Sequence, residues 1–221
     1  MPKSLGWYKP EQLILKITLQ ESKPSIWRRV EVHSGLTLDD LHHVIQKCFD
    51  WDNSHLYQFL VTPDGKLTRT SMREATRYHA LPSDPIFPPE EDDDMRSDNA
   101  IIGYIFTPDR KEILYEYDFG NGWNHIVKIE KRTPGGDMDH TPECLAGENA
   151  APRDDMGGIH GYYQWLEAIA NPKHEMHEQA VEWLGKDFQP AAFDLKVNNK
   201  RLAKLFVSAP KKKPSKPKKK A

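Results

Sequence analysis

Long apolar runs are missing from this 221-residue chain. The longest, Ala100 to Phe106, is far short of the roughly 20 residues that a bilayer-spanning helix needs. The opening residues, Met1 to Gln12, contain no apolar core of a secretory signal. Cysteine is scarce too. Cys48 and Cys144 are the only two, too few for a disulfide framework and in keeping with a reducing compartment. A cytoplasmic protein without a membrane partner is therefore expected.

Basic charge is lacking from the body of the chain. Seven of its 31 Lys and Arg residues crowd into the end, as Lys211, Lys212, Lys213, Lys216, Lys218, Lys219 and Lys220, with no acid among them. The remaining 24 face 33 acidic residues. An acidic body argues against a domain-wide nucleic-acid surface, because phosphate contact needs a basic face. The lysine-rich tail, residues 209–221, is the place where nucleic acid would be held, unless it is only a solubilising end. What the chain does have is aromatic mass: six Trp, eight Tyr and eight Phe can supply one full hydrophobic core over residues 1–208.

Periodicity predicts an α+β protein. Leu13, Leu15, Ile17 and Leu19 alternate with polar residues as a half-buried strand does, and Ile26 to Val32 read as its hairpin partner. Thr37 stands three residues before Asp40, a helix-start pattern, and Leu38, Leu41, Ile45, Cys48 and Phe49 follow at helical spacing. His55 to Val61 form the next strand. The order strand, strand, helix, strand suits a mixed or antiparallel sheet, including a β-grasp-like one. Residues 63–99 read as a polar excursion. Glu112 to Phe119 and Trp123 to Lys131 read as two strands around Asn121-Gly122, a strong hairpin signal. Coil is expected through Gly158, then helices around Tyr162 to Ile169, Met176 to Leu184 and Asn198 to Phe206, a helical C-terminal segment.

The hairpin supplies the sharpest chemical expectation. With Asn121 and Gly122 as the two loop residues, Gly120 opposes Trp123 and Asp118 opposes His125. Opposed residues share a sheet face about 5 Å apart, so Asp118 would orient His125 as an acid–base pair. A merely structural Asp–His bond is the alternative. The second constellation is the loop into the helix around Tyr162 to Ile169, where Asp154 and Asp155 precede Gly157, Gly158, His160, Gly161 and Tyr162. Its glycines permit close approach of a ligand or a tight structural turn, but match no phosphate or dinucleotide fingerprint. Zinc ligands can be composed from Asp137, Asp139, His140 and Cys144, or from His174, His177 and Glu178. Neither group has finger spacing, so no metal site and no cofactor is assigned, although a metal remains open. His174 and His177 are expected to face solvent. Trp27 and Arg29 should share a strand face as a surface stack, with Arg28 pointing away.

Taken in order, the segments Leu15 to Val32, Thr37 to Phe59, Tyr115 to Lys131, Gly157 to Tyr162 and Phe193 to Asn199 resemble the plasmid pRiA4b ORF-3-like family. The likeness implies that the family's characteristic positions fall here at Trp27, Arg28, Leu41, His42, Gln46, Trp51, His55, Asp118, Gly120, Trp123, His125, Cys144, Gly147, Gly157, Gly158, Gly161 and Tyr162. It departs where the family has a second loop cysteine, here Met156, and an Asp, here Asn121. Members are often plasmid-borne, and some carry a transposon-passenger (TnpR-like) label, which implies a mobile-element context. The expected function is thus an accessory or binding protein, with a face formed by His42, Asp118, Gly120, Trp123, His125 and the Asp154–Tyr162 loop. The alternative is a metal-assisted or Asp–His-dependent hydrolase or nuclease-like enzyme.

Overall fold

A computed structural model describes residues 10–80, 94–135 and 141–205, the side chains of Asp94 and Met95 excepted. The chain is α+β. Strand β1 (Glu11–Leu19) pairs with β2 (Trp27–His33), helix α1 (Leu38–Phe49) follows, and β3 (Tyr57–Val61) comes next. The short helix α2 (Arg69–Arg73), β4 (Thr76–His79), β5 (Asp94–Arg96), a single 3₁₀ turn and α3 (Ile102–Ile105) lead to β6 (Glu112–Tyr117), β7 (Trp123–Pro134) and β8 (Glu143–Glu148). Helices α4 (Gly158–Ala170), α5 (His177–Leu184) and α6 (Leu195–Leu202) complete the described chain.

All eight strands join one sheet in the order β5-β4-β3-β6-β7-β1-β2-β8. Seven of them are antiparallel neighbours, and β5 adds to β4 in parallel. The alternation seen in the sequence decides the faces. Leu13, Leu15, Ile17, Val30, Val32, Ile113, Tyr115, Tyr117, Trp123, His125 and Val127 point into one core. On the other face Arg29 bridges Glu130 at 2.5 Å and lies over Trp27 at 5.0 Å, the surface stack expected of Trp27 and Arg29. Antiparallel sheets tolerate one wet face in this way.

Helix α1 covers the dry face. Its start is a capping box: the Thr37 hydroxyl accepts from the Asp40 amide at 3.1 Å, and the Asp40 carboxylate accepts from the Thr37 amide at 2.9 Å. His42 and Gln46 reach Tyr115 on β6, and Arg28 on β2 donates to the Cys48 carbonyl. At the far edge, the Asn199 side chain on α6 accepts from the backbone amide of Cys144 at 2.7 Å and donates to its carbonyl at 2.9 Å. No helix among the described residues is long and apolar enough to cross a membrane.

Three expectations need correction. The polar stretch 63–99 holds α2, β4, β5 and the 3₁₀ turn, and the coil before Gly158 holds β8. The hairpin register also differs: Tyr115 opposes His125 and Tyr117 opposes Trp123, across a five-residue loop, 118–122. Asp118 turns the chain early. It takes a left-handed φ of 55°, and its carbonyl and carboxylate accept the amides of Gly120, Asn121 and Gly122. Such local carboxylate–amide bonding competes with the ladder, and here it displaces the two-residue Asn-Gly turn. The lysine tail, Phe206 and the group Asp137, Asp139 and His140 lie outside the described residues.

Candidate functional site

Three loops meet at one end of the sheet: the link from α1 to β3, the β6–β7 loop and the link from β8 to α4. Two are wound by their own polar residues and the third by glycines. In the first, Asp50 closes α1 at φ 61° and Asn53 turns at φ 63°. In the second, Asp118 organises the turn described above. In the third, Gly157 and Gly158 take φ of 75° and 69° at the start of α4. A side chain at Gly158 would place its Cβ 2.3 Å from the Asn121 carbonyl oxygen, so only glycine lets these two loops touch.

Hydrogen bonds then lock the loops together. The indole of Trp123 donates to the Asp154 carbonyl at 2.7 Å, and that of Trp51 donates to the Pro152 carbonyl at 2.9 Å. Tyr117 accepts from the Ser54 and His55 amides and donates to the Asp154 carboxylate at 3.5 Å. Asp118 receives the Asn121 side-chain amide at 2.6 Å.

This locking brings His55, Asp118 and Asp155 together. His55 Nε2 lies 3.0 Å from Asp155 Oδ1 and 3.7 Å from Asp118 Oδ2. The three donor atoms fall within 4.8 Å of one another, and they form the one such cluster of His, Cys, Asp or Glu donors among the described residues. Asp118 is nearly buried, His55 half-buried and Asp155 exposed, so the cluster opens outward. One nitrogen and two carboxylates suit a divalent cation of intermediate hardness. Next to them, burial and then repulsion from Asp52 raise the Asp154 carboxyl above the usual carboxylate range. Hydrogen bonding from Ser54 holds exposed Asp52 below it.

His55 also lines a cleft of about 410 Å³, with His42, His43, Tyr57, Arg77 and Phe119 among its walls. His42 forms the inner wall. Its ring stacks on Tyr57 at 3.6 Å, Nδ1 meets the Tyr115 hydroxyl at 2.8 Å and Nε2 meets Asn53 Oδ1 at 2.6 Å. Burial pushes its pKa down to about 3 in spite of the Asn53 bond. His42 is a neutral part of a closed network rather than a proton carrier.

His125 sits deeper still, fully buried, with Phe49 and Trp51 set edge-on to its ring and Tyr115 tilted beside it. Its Nδ1 faces the Trp123 carbonyl at 3.2 Å, its Nε2 has no hydrogen-bond partner among the described residues, and burial lowers its pKa to about 3. The expected Asp118–His125 pair does not form; His55 takes the place beside Asp118. Of the remaining expected residues, Trp123, Asp154, Asp155, Gly157 and Gly158 do build the loop cluster, and Gly120 donates within the Asp118 turn. His160 is exposed on α4. Gly161 packs against the Met156 carbonyl, and Tyr162 is buried in the core with its hydroxyl 3.4 Å from the Ala150 carbonyl. His177 does not face solvent: its Nδ1 bonds the Ala168 carbonyl at 2.9 Å and ties α5 to α4.

His55 and Asn53 were absent from the expected face, although Asp52-Asn53-Ser54-His55, an unbroken polar run between a helix and a strand, carries a loop-site signal.

Fold and site define a class: an α+β protein whose single sheet presents a His–Asp–Asp cluster on three loops at one end. The chain belongs to the plasmid pRiA4b ORF-3-like protein family, whose model matches residues 11–197. It is similar to a protein of Sinorhizobium fredii (strain NBRC 101917 / NGR234) described as "Uncharacterized protein y4hQ", with 33% identity over 195 residues, 86% of this chain and 90% of that one. It is also similar to a crystal structure described as a protein of unknown function, MM3350, from Methanosarcina mazei Go1. That likeness has a TM-score of 0.71 and 35% identity, covering 86% of this chain and 98% of the other.

Proposed function

We propose that this is a divalent-cation-dependent binding protein, an accessory protein that presents the ion at the rim of the cleft to an anionic ligand. One observation carries the reading: His55, Asp118 and Asp155 come from three separate loops, yet their donor atoms lie within 4.8 Å of one another. His55 also lines the cleft, which puts a bound ion beside a cavity of ligand size. Three protein donors leave coordination positions for water or a ligand.

Calorimetric titration of the full chain with Mn²⁺ and Zn²⁺ tests this. One ion should bind per chain, and His55→Ala or Asp155→Asn should weaken it by at least about tenfold. Absence of binding, or equal binding by both variants, would overturn the proposal. The competing reading, a metal-assisted hydrolase, rests on the same open positions, because a bound water there would be acidified. Turnover of a simple phosphodiester by the Mn²⁺-loaded protein, lost in His55→Ala, would favour that reading.

The tail belongs to the same proposal in a second role. Lys211, Lys212, Lys213, Lys216, Lys218, Lys219 and Lys220 would tether the acidic body to nucleic acid by phosphate contact, in a cytoplasmic, mobile-element setting. Fluorescence anisotropy with labelled DNA and RNA across a salt series should show binding by the full chain that falls steeply with salt. A truncation after Ala209 should lose it. Equal binding by the truncation would place the contact on the body instead.

A further inference from the structure

The cleft beside the cation cluster has a wall unlike the acidic body around it. Asp39 is the one acid that lines it among the described residues, against Arg77 and the histidines His42, His43, His55 and His79. That single carboxylate is already engaged. The Tyr57 hydroxyl donates to Asp39 Oδ1 at 2.5 Å, and His43 Nε2 lies 3.8 Å from Oδ2. Arg77 is exposed on β4. A guanidinium in a wall whose only carboxylate is occupied suits a phosphate, which it can grip with two parallel N–H donors.

The same cleft is lined by Leu56 and Phe119. At 67% and 49%, these are the two most exposed large hydrophobic residues described. Apolar side chains scattered singly over a surface need no explanation, but these two meet at one cavity. The backbone ties them together, because the Asp118 amide donates to the Leu56 carbonyl at 2.9 Å. Leu56 follows His55 and Phe119 follows Asp118. Consecutive Cα atoms are about 3.8 Å apart, so each apolar residue is held one step along the chain from a cation donor.

An apolar pair, a guanidinium and a cation site therefore surround one space of about 410 Å³, a size typical of small-molecule sites. Phenylalanine offers a face on which any nucleobase can stack. Phosphate is the group that an arginine and a divalent ion bind in common. One small molecule that carries both a flat ring and a phosphate is a nucleotide.

We propose that the cleft takes a mononucleotide, its base against Phe119 and Leu56 and its phosphate held by Arg77 and the ion at His55, Asp118 and Asp155. This rests on the cation-binding reading above and names the anionic ligand of that site. The ion and Arg77 would accept any phosphate; the apolar pair selects one that bears a base.

The test is calorimetric titration of the full chain with AMP and with UMP, in the presence and absence of saturating Mn²⁺, beside a titration with Mn²⁺ alone. One nucleotide should bind per chain, more tightly with Mn²⁺ present. The bare nucleosides and inorganic phosphate should each bind at least about tenfold more weakly than the nucleotide. Phe119→Ala and Arg77→Ala should each weaken nucleotide binding by about tenfold or more. Both side chains are exposed, so both variants should keep the parent melting temperature. Three results would each overturn the inference: binding of neither nucleotide, inorganic phosphate or a nucleoside binding as tightly as the nucleotide, and unchanged affinity in both variants. Failure of the cation reading is a separate result, seen as no uptake of Mn²⁺ in the titration without nucleotide.

Discussion

Two histidines with almost the same acidity do different work at the residue scale. His42 and His125 are both held near pKa 3 by burial, against an ordinary value of 6.5, yet His42 satisfies both ring nitrogens while His125 leaves Nε2 bare. Both must be neutral for the fold to persist. Above pH 6.5 each is uncharged in the folded and unfolded chain alike, and its contribution to stability is constant. As pH falls from 6.5 toward 3, the unfolded chain takes a proton that the folded one refuses. Stability therefore drains by about 1 kcal/mol per pH unit for each histidine. Urea denaturation of His125→Phe across this range should show an acid limb shallower by about that amount. An unchanged slope would mean that His125 titrates normally in the folded chain.

The same scale explains why Asp118 was legible in part. Its presence in the site could be read from the sequence, but its partner could not. Alternation extends through Asp118 as if it were the last strand residue, and only the left-handed turn that its own carboxylate stabilises removes it from the ladder. Such a choice between a ladder bond and a local bond leaves no mark in hydrophobic periodicity.

Among the elements, those with strong local signals were readable. Helix α1 announces itself through Thr37, Asp40 and an apolar stripe, and β1 through four alternating aliphatics. Strands β4, β5 and β8 gave little signal because packing, not composition, defines them. In β8 only Cys144 is buried, and its neighbours are Glu143, Gly147 and Glu148. The three loops that make the site are also an element-scale matter, since no single one holds a complete donor set. Gly158 is where two of them touch. Gly158→Ala should force the β6–β7 loop away from the start of α4, lowering stability by about 1–3 kcal/mol. The same separation of Asp118 from Asp155 should weaken cation binding in calorimetry. A variant with unchanged melting temperature and unchanged affinity would show that the loops yield without moving the donors.

At the scale of the whole molecule, the sheet has one face for packing and one for water, and the His55–Asp118–Asp155 cluster sits where the α1–β3 link, the β6–β7 loop and the β8–α4 link meet at one end of it. The acidic body and basic tail add a division of charge that composition alone revealed. What composition could not reveal is how the sheet stops. The Asn199 amide meets the amide and carbonyl of Cys144 with one acceptor and one donor, the same pair of bonds that another backbone would offer. A ninth strand from a neighbouring chain would have to evict it to add itself to β8. One side chain thus imitates a peptide group, and with it the molecule guards a border at which copies of itself would otherwise be invited to stack.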